Sequence, residues 1–331
     1  MREDLKNLPV YAAPTQTDLV VLANNENAYV DWRDLLSIDT HRIDFNHYGK
    51  STHDALRAKY ATYVGLQVAN VLPGPGSEAL IPLLINALST ESVLFFSRDF
   101  FRYYEIAQVL QRKVLTSEVT LGITGLIATA QATQPEIIML SNPNNPLSIE
   151  FTRADLIRLL DETTAYVVID EAYAEYGQVS VVDLVDTYPK LIVLRTLSKA
   201  WGLANLRVGF LLANSELRAY LEAVQGAFVL SDVNADLATQ ALSYDALVVE
   251  KINALKATRA DFIAYLASKG ISVNQSASSF VYVNISGSDR IQQELLAVGI
   301  QVNTYADQGL RITIGTPAQM TQLQQALEQI I

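Results

Sequence analysis

The sequence contains no cysteine, which removes disulfides, thiolate metal sites and a cysteine nucleophile together. Its three histidines, His41, His47 and His53, fall in one short segment with no acidic ligand pattern beside them. They read as surface or interface residues rather than a metal site. Proline and glycine are sparse, at 10 and 15 of 331 residues, and nowhere form a linker long enough to separate independent modules. No apolar run approaches the length that spans a bilayer. The opening MREDLKNLPVYAAP mixes charges without an apolar core, unlike a secretory leader. Basic residues are outnumbered, 24 Lys+Arg against 35 Asp+Glu, for a net charge of −11. Nucleic acid or an anionic membrane finds no basic face on such a chain. The expectation is a soluble cytoplasmic protein whose partners are small molecules.

Half of the residues are hydrophobic, and their pattern gives the fold class. Short apolar runs, VANVLP (68–73), SVLFFS (92–97), EIIMLS (136–141), AYVVID (165–170), LIVLR (191–195) and VGFLLA (208–213), read as buried strands. Helical patterns at 77–88, 103–113 and 153–163 lie between them. Strands alternating with helices predict an α/β fold, a mostly parallel sheet covered by helices on both faces. Beyond 214 come long helical stretches (216–225, 233–268), strands near 279–285 and 310–315, and a helix at 317–329, a smaller α+β unit. The expected division is an N-terminal arm (1–30), a large domain (31–232) and a small C-terminal domain (233–331).

Polar residues gather where the strands end. VANVLP is followed by Gly74-Pro75-Gly76-Ser77-Glu78, EIIMLS by Asn142-Pro143-Asn144-Asn145-Pro146, AYVVI by Asp170, Glu171 and Tyr173, and LIVLR by Thr196, Ser198 and Lys199. In an open α/β sheet, ligands bind outside the carboxyl ends of the strands. Gly76, Ser77 and Glu78 open a helix whose free N–H groups suit an anion. Thr196, Ser198 and Arg207 add hydroxyls and a cationic fork, completing a phosphate cup. Asp170 can hold a proton on a ring nitrogen, and a desolvated Lys199 can condense with an aldehyde. Phosphate, protonated ring nitrogen and imine-forming lysine describe pyridoxal 5'-phosphate. Taken singly, Lys199 also fits a solvated loop, Asp170 a helix cap and Asn145 an Asn-Pro turn.

The segment LRTLSKAWGLANLRVGF (194–210) resembles the lysine region of fold-type I pyridoxal-phosphate aminotransferases, above all the histidinol-phosphate aminotransferase family. LANNENA (22–28), GPGSEA (74–79), SNPNNP (141–146), VVIDEAYAEY (167–176) and LRITIGT (310–316) resemble further motifs of that family in the same order. The resemblance implies that Lys199 forms an imine with the cofactor and moves the substrate proton. It implies that Asp170 holds the pyridine nitrogen, and that Tyr173 and Asn145 bind the phenolic oxygen. Phe100 stands where the family stacks a tyrosine on the ring, and Tyr48 where a tyrosine enters the neighbouring subunit, implying a homodimer. Arg311 matches the arginine for the substrate carboxylate. Glu26 and Asn27 are expected at the mouth and Tyr11 in its lid.

Two departures are confined to loops, NPNNPLS for NPNNPTG and NENA for NENP. A third bears on the donor: SSFVYVNI (278–285) places Asn284 where the family usually carries an arginine for the substrate phosphate. The expectation is transfer of an amino group from an L-amino acid or histidinol phosphate to a 2-oxo acid such as 2-oxoglutarate, with an unphosphorylated, aromatic donor favoured by Asn284. A lyase like threonine-phosphate decarboxylase shares the cofactor residues. GPGSEA also fits G-x-G-x-x-A, with Asp99 as a ribose-binding acid, which is the NAD-dependent dehydrogenase alternative. A cofactor-binding regulator on the same scaffold is the non-enzyme alternative.

Overall fold

The structure, a computed structural model, describes residues 2–6, 19–41, 43–49, 51–305 and 308–331. A short strand β1 (Val20–Val21) leads through an extended segment to helix α1 (Ser51–Val64). There follow β2 (Val71–Gly74), α2 (Ser77–Leu88), β3 (Ser92–Phe96), α3 (Arg102–Val109), β4 (Lys113–Ser117), α4 (Gly122–Thr133) and β5 (Ile137–Ser141). Next come α5 (Arg153–Glu162), β6 (Tyr166–Asp170), β7 (Leu191–Thr196) and β8 (Gly209–Leu212). These seven strands form one sheet in the order β2-β8-β7-β6-β5-β3-β4. Only β8 runs against its neighbours, which makes the sheet mostly parallel.

Alternation along the strands explains why both faces are covered. Leu94, Phe96, Ile138, Leu140, Val167, Ile169 and Val193 join one apolar core. Their neighbours Val93, Phe95, Ile137, Met139, Val168, Ile192 and Leu194 join a second core on the opposite face, under α2 and α3. A period of two fills both sides of a parallel sheet, so each strand reads as continuously apolar. Local signals start the helices. Thr152 caps α5 and Asp155 returns the bond, a reciprocal capping box.

Helices α6 (Ser215–Gln225), α7 (Asp232–Ala241) and α8 (Asp245–Ser268) lead to β9 (Ser272–Val273) and β10 (Phe280–Asn284). Helix α9 (Ser288–Ala297), β11 (Ile300–Gln301), β12 (Asn303–Thr304), β13 (Leu310–Thr313) and α10 (Pro317–Ile330) complete the chain. The second sheet is antiparallel in the order β12-β13-β10-β9, and β1 pairs with β11. The chain near Leu22 thereby joins the C-terminal strands: Thr313 N donates to Leu22 O at 2.9 Å.

Two expectations are corrected here. The stretch 233–268 is two helices with a break between Ala241 and Asp245, where α7 has turned to pack on α1. Lys113–Ser117 is a strand that the apolar pattern missed, because as an edge strand it is only partly buried. Buried Arg195 on β7 pairs with Glu171 at 2.7 Å and Glu175 at 3.1 Å, tying β7 to the turn after β6.

Candidate active site

The ends of β2, β6 and β7 and the start of β8 lie along one edge of the sheet. Gly209 is level with both Gly74 and Thr196. A side chain at Gly209 has no room, since its Cβ would stand 2.2 Å from Ser77 N and 2.6 Å from Gly76 C. The strand therefore presses directly under the start of α2. Gly76, with φ of 83°, turns the chain into that helix, and a Cβ there would meet Arg207 Nη2 at 2.7 Å. Arg207 itself adopts a left-handed conformation, with Nη1 at 3.4 Å from Ser198 Oγ and 3.1 Å from Ala204 O. Free N–H groups of a helix start, a hydroxyl and a guanidinium thus surround one small cradle, which fits a phosphate.

Two members of the expected cup act differently. Thr196 Oγ1 donates to Val208 O at 3.3 Å and accepts from Ser198 N at 3.1 Å, so this hydroxyl shapes the turn. The Glu78 carboxylate pairs with Arg102 at 2.8 Å, which leaves its backbone as its contribution to the helix start. We expect Gly209→Ala to lower pyridoxal-phosphate affinity roughly 5- to 150-fold, the cost of overpacking by one methyl. A fluorescence or absorbance titration of the purified variant measures this.

Lys199 lies partly buried after the β7 turn, its Nζ donating to Asn24 O at 2.8 Å and standing 5.9 Å from the Tyr173 ring. Burial, helped by the charges of Arg311 and Arg207, pulls its ammonium down to about 8, against the opposing Glu26 and Glu78. At pH 7 this raises the neutral, nucleophilic fraction about 300-fold over an ordinary lysine.

Asp170 ends β6 almost fully buried. Tyr103 OH donates to its Oδ2 at 2.9 Å and Ala172 N to its Oδ1 at 3.1 Å. Burial pushes its carboxyl up to about 6, with those two donors pulling the other way. A buried carboxylate without a paired cation is costly, and a protonated ring nitrogen would supply such a charge. Phe100 sits edge-on to Tyr103, with ring centroids 5.5 Å apart.

Asp99 packs alongside. It accepts from Phe100 N at 2.8 Å, Ser141 N at 3.2 Å and Ser141 Oγ. Burial lifts its carboxyl to about 8. This role as a brace for the β5 end overturns its reading as a ribose-binding acid. The dehydrogenase reading falls with it, because β2, which carries the glycine turn, is an edge strand against an antiparallel neighbour. A dinucleotide fold has that turn in the middle of parallel strands.

The substrate end is built from three segments. Arg311 on β13 is buried; Nη1 donates to Asn145 Oδ1 at 2.6 Å and Nη2 to Ala23 O at 2.7 Å, while Nε has no partner. The first bond fixes Asn145 with its amide nitrogen left to donate. Asn145 N is held in turn by Ser141 Oγ at 2.9 Å. Tyr173 OH accepts from Asn25 Nδ2 at 2.9 Å.

Asn24 and Asn25 are the site residues that sequence reasoning missed in the N-terminal segment, and Tyr103 is missed in α3. Asn27 Nδ2 donates to Ala200 O at 2.8 Å, so this side chain braces the Lys199 turn. Glu26 is exposed. Tyr11 lies outside the described residues. Asn284 is exposed, with Nδ2 on Asn274 Oδ1 at 3.0 Å. Ser148, at the position of the family's loop glycine, has φ of 60° and places its hydroxyl among Ser276, Ser278 and Phe280 O. That departure stitches the asparagine loop to β10. Tyr48 is exposed and stacks on Phe228 at 4.2 Å.

A partly buried lysine with a lowered pKa, a cradle that fits a phosphate and a buried acid at the end of one α/β sheet suit a pyridoxal-phosphate enzyme of fold type I. The chain belongs to the class I and II aminotransferase family, whose pattern matches residues 17–327. A histidinol-phosphate aminotransferase of Thermoanaerobacter sp. (strain X514) is 31% identical over 283 residues, covering 82% of this chain and 80% of that protein. The crystal structure of histidinol-phosphate aminotransferase from Sinorhizobium meliloti in complex with pyridoxal-5'-phosphate superposes with a TM-score of 0.87 at 21% identity, over 95% and 91% of the two chains. L-threonine-O-3-phosphate decarboxylase from Porphyromonas gingivalis gives 0.82 at 20% identity, over 94% and 99%. These structural likenesses bear on the fold. The protein is a pyridoxal-phosphate-dependent aminotransferase resembling the histidinol-phosphate enzymes. No helix among the described residues is long and apolar enough to cross a membrane.

Proposed function

We propose that this aminotransferase draws its amino group from an unphosphorylated L-amino acid with an aromatic side chain and passes it to a 2-oxo acid such as 2-oxoglutarate. The observation that carries this reading is the pairing of a buried Arg311 with a neutral Asn284. One guanidinium, its Nε free of protein partners, suits a carboxylate. Asn284 offers only an amide, already bonded to Asn274. Phe280 and Tyr305 flank the Arg311 guanidinium at 5.5 and 5.7 Å, so the surroundings are aromatic.

Pyridoxal phosphate, when bound, supplies an aldehyde carbon and a ring that accepts electrons. The chain does the rest. The α2 start, Ser198 and Arg207 hold the phosphate, and Asp170 keeps the ring nitrogen protonated. Tyr173 and Asn145 would bind the phenolic oxygen, and Phe100 would supply an apolar contact to the ring. Arg311 fixes the substrate carboxylate. Lys199 Nζ would be the base that moves the proton at substrate Cα. Exposed Tyr48 and Phe228, stacked on each other, form an apolar patch that a second copy covers in a homodimer, with Tyr48 reaching the partner's phosphate. The assembly works in the cytoplasm.

Steady-state turnover with 2-oxoglutarate tests the donor. We expect kcat/KM for L-phenylalanine to exceed that for histidinol phosphate at least about 10-fold, the worth of one charge-assisted contact. A preference for the phosphate ester overturns the donor. Release of carbon dioxide without a 2-oxo product overturns transamination in favour of the lyase.

A further inference from the structure

Ser148 is fully buried and holds a left-handed backbone, with φ of 60°, where glycine is the easier residue. The turn itself gains nothing from a serine, so the reason for one lies in its hydroxyl. Ser148 N donates to Asn144 O at 2.8 Å, and Leu147 N to Asn144 Oδ1 at 3.0 Å. Asn145 is thus enclosed in a turn that Asn144 opens and Ser148 closes.

That turn is fastened to the segment leading into β10. The hydroxyls of Ser148, Ser276 and Ser278 converge on Phe280 O, at 3.2, 2.6 and 3.2 Å, and Ser148 Oγ also bonds to both of the other hydroxyls. Ala277 N donates to Ser148 O at 2.9 Å and Asn274 Nδ2 to Leu147 O at 3.2 Å. Strand β10 in turn pairs with β13, Phe280 level with Thr313 and Tyr282 with Arg311. Arg311 Nη1 then returns to Asn145 Oδ1 at 2.6 Å. These contacts close a ring, from Asn145 along its turn to Ser148, across to Phe280, over to Arg311 and back. Loss of the Ser148 hydroxyl loosens one junction of that ring without orphaning Phe280 O, which keeps Ser276 and Ser278.

We propose that Ser148 is a positioning residue for the substrate carboxylate: its hydroxyl ties the asparagine turn to β10 and so holds Asn145 and Arg311 in register before a substrate arrives. The proposal rests on the reading of Arg311 as the carboxylate's partner, and it does not depend on which amino donor the enzyme uses, because the 2-oxo acid acceptor carries a carboxylate in either case. A guanidinium held in place beforehand loses less freedom when the ligand binds. The gain therefore falls on affinity and leaves the proton transfer at Lys199 alone.

Ser148→Gly and Ser148→Ala separate this role from a merely structural one. Both lack the hydroxyl, but only glycine suits the left-handed backbone, so Ser148→Gly should melt higher than Ser148→Ala. Both should nonetheless bind a carboxylate equally poorly. In the cofactor-loaded enzyme, calorimetric affinity for glutarate, a carboxylate probe without an amino group, is expected to fall roughly 3- to 10-fold in each. KM for 2-oxoglutarate should rise in parallel, while kcat and the affinity for pyridoxal phosphate hold. Ser278→Ala should weaken glutarate as well, and the double variant Ser148→Gly/Ser278→Ala by less than the two losses combined, as partners in one contact do. Glutarate affinity that stays at the wild-type value in both Ser148 variants overturns the proposal. So does affinity that follows the melting temperature, kept in Ser148→Gly and lost in Ser148→Ala, or an equal loss of pyridoxal-phosphate affinity. Arg311→Gln tells the two possible failures apart. Unchanged glutarate binding in that variant refutes Arg311 as the carboxylate's partner and the proposal with it, whereas a loss there and none in the Ser148 variants refutes the proposal alone.

Discussion

Lys199→Ala is expected to abolish transamination, lowering kcat by at least about 10,000-fold, because on the proposed reading one amine is both the covalent anchor and the proton carrier. The variant should still fold and bind pyridoxal phosphate through the α2 start, Ser198 and Arg207, with weakened affinity and without the visible band of the lysine-linked cofactor. The pH dependence follows from the site. Burial holds the Lys199 ammonium near 8, so the neutral amine accumulates as pH rises through that value. The rate at which the wild-type apoprotein captures the cofactor should therefore climb up to about pH 8 and level off. A climb that continues to the ordinary lysine range near 10.4 removes the argument that this lysine is desolvated for covalent chemistry.

Asp170→Asn is the second large effect, with opposite signs in the two states of the protein. In the cofactor-loaded enzyme, an amide cannot hold the ring nitrogen protonated, and loss of one partner from a buried charge pair costs about 3–5 kcal/mol. That corresponds to a fall in kcat of roughly 150- to 5,000-fold. In the apoprotein the sign reverses. The folded carboxyl sits near 6, above its unfolded value, so the folded state binds the proton more tightly. Its destabilising contribution is absent below about pH 4 and complete above about pH 6. The amide of the variant carries no such cost, so the variant apoprotein should melt higher than the wild type at pH 7 and no higher at pH 4. Thermal melts with and without cofactor at the two pH values check both halves. Equal melting shifts at both pH values contradict the assignment of a desolvated acid.

The fold was legible wherever burial follows a simple period. The strands at 92–96, 137–141, 166–170 and 191–196 are apolar on both faces, and each was bounded to within a residue or two. Lys113–Ser117 was missed because an edge strand needs little apolar surface. The break before Asp245 carries neither glycine nor proline, so no local signal marks it; the packing of α7 on α1 decides it. Site residues at strand ends were legible for a related reason. Lys199, Asp170, Asn145 and Arg311 are polar groups attached to apolar runs, and topology brings such ends together. Asn24, Asn25 and Asn27 belong to an extended segment without a period. Nothing in LANNENA tells which asparagine faces Tyr173 and which braces Ala200. Tyr103 looked like one more core aromatic, and only the fold aims its hydroxyl at Asp170.

The visible absorption spectrum of the cofactor-loaded protein, recorded before and after adding L-phenylalanine, L-glutamate and histidinol phosphate in turn and without an acceptor, tests the central claim most directly. The account predicts a yellow band that depends on Lys199 and that an amino donor converts to the colourless amine form, with one equivalent of 2-oxo product from phenylalanine. A band that no donor discharges, or one that survives intact in Lys199→Ala, contradicts it.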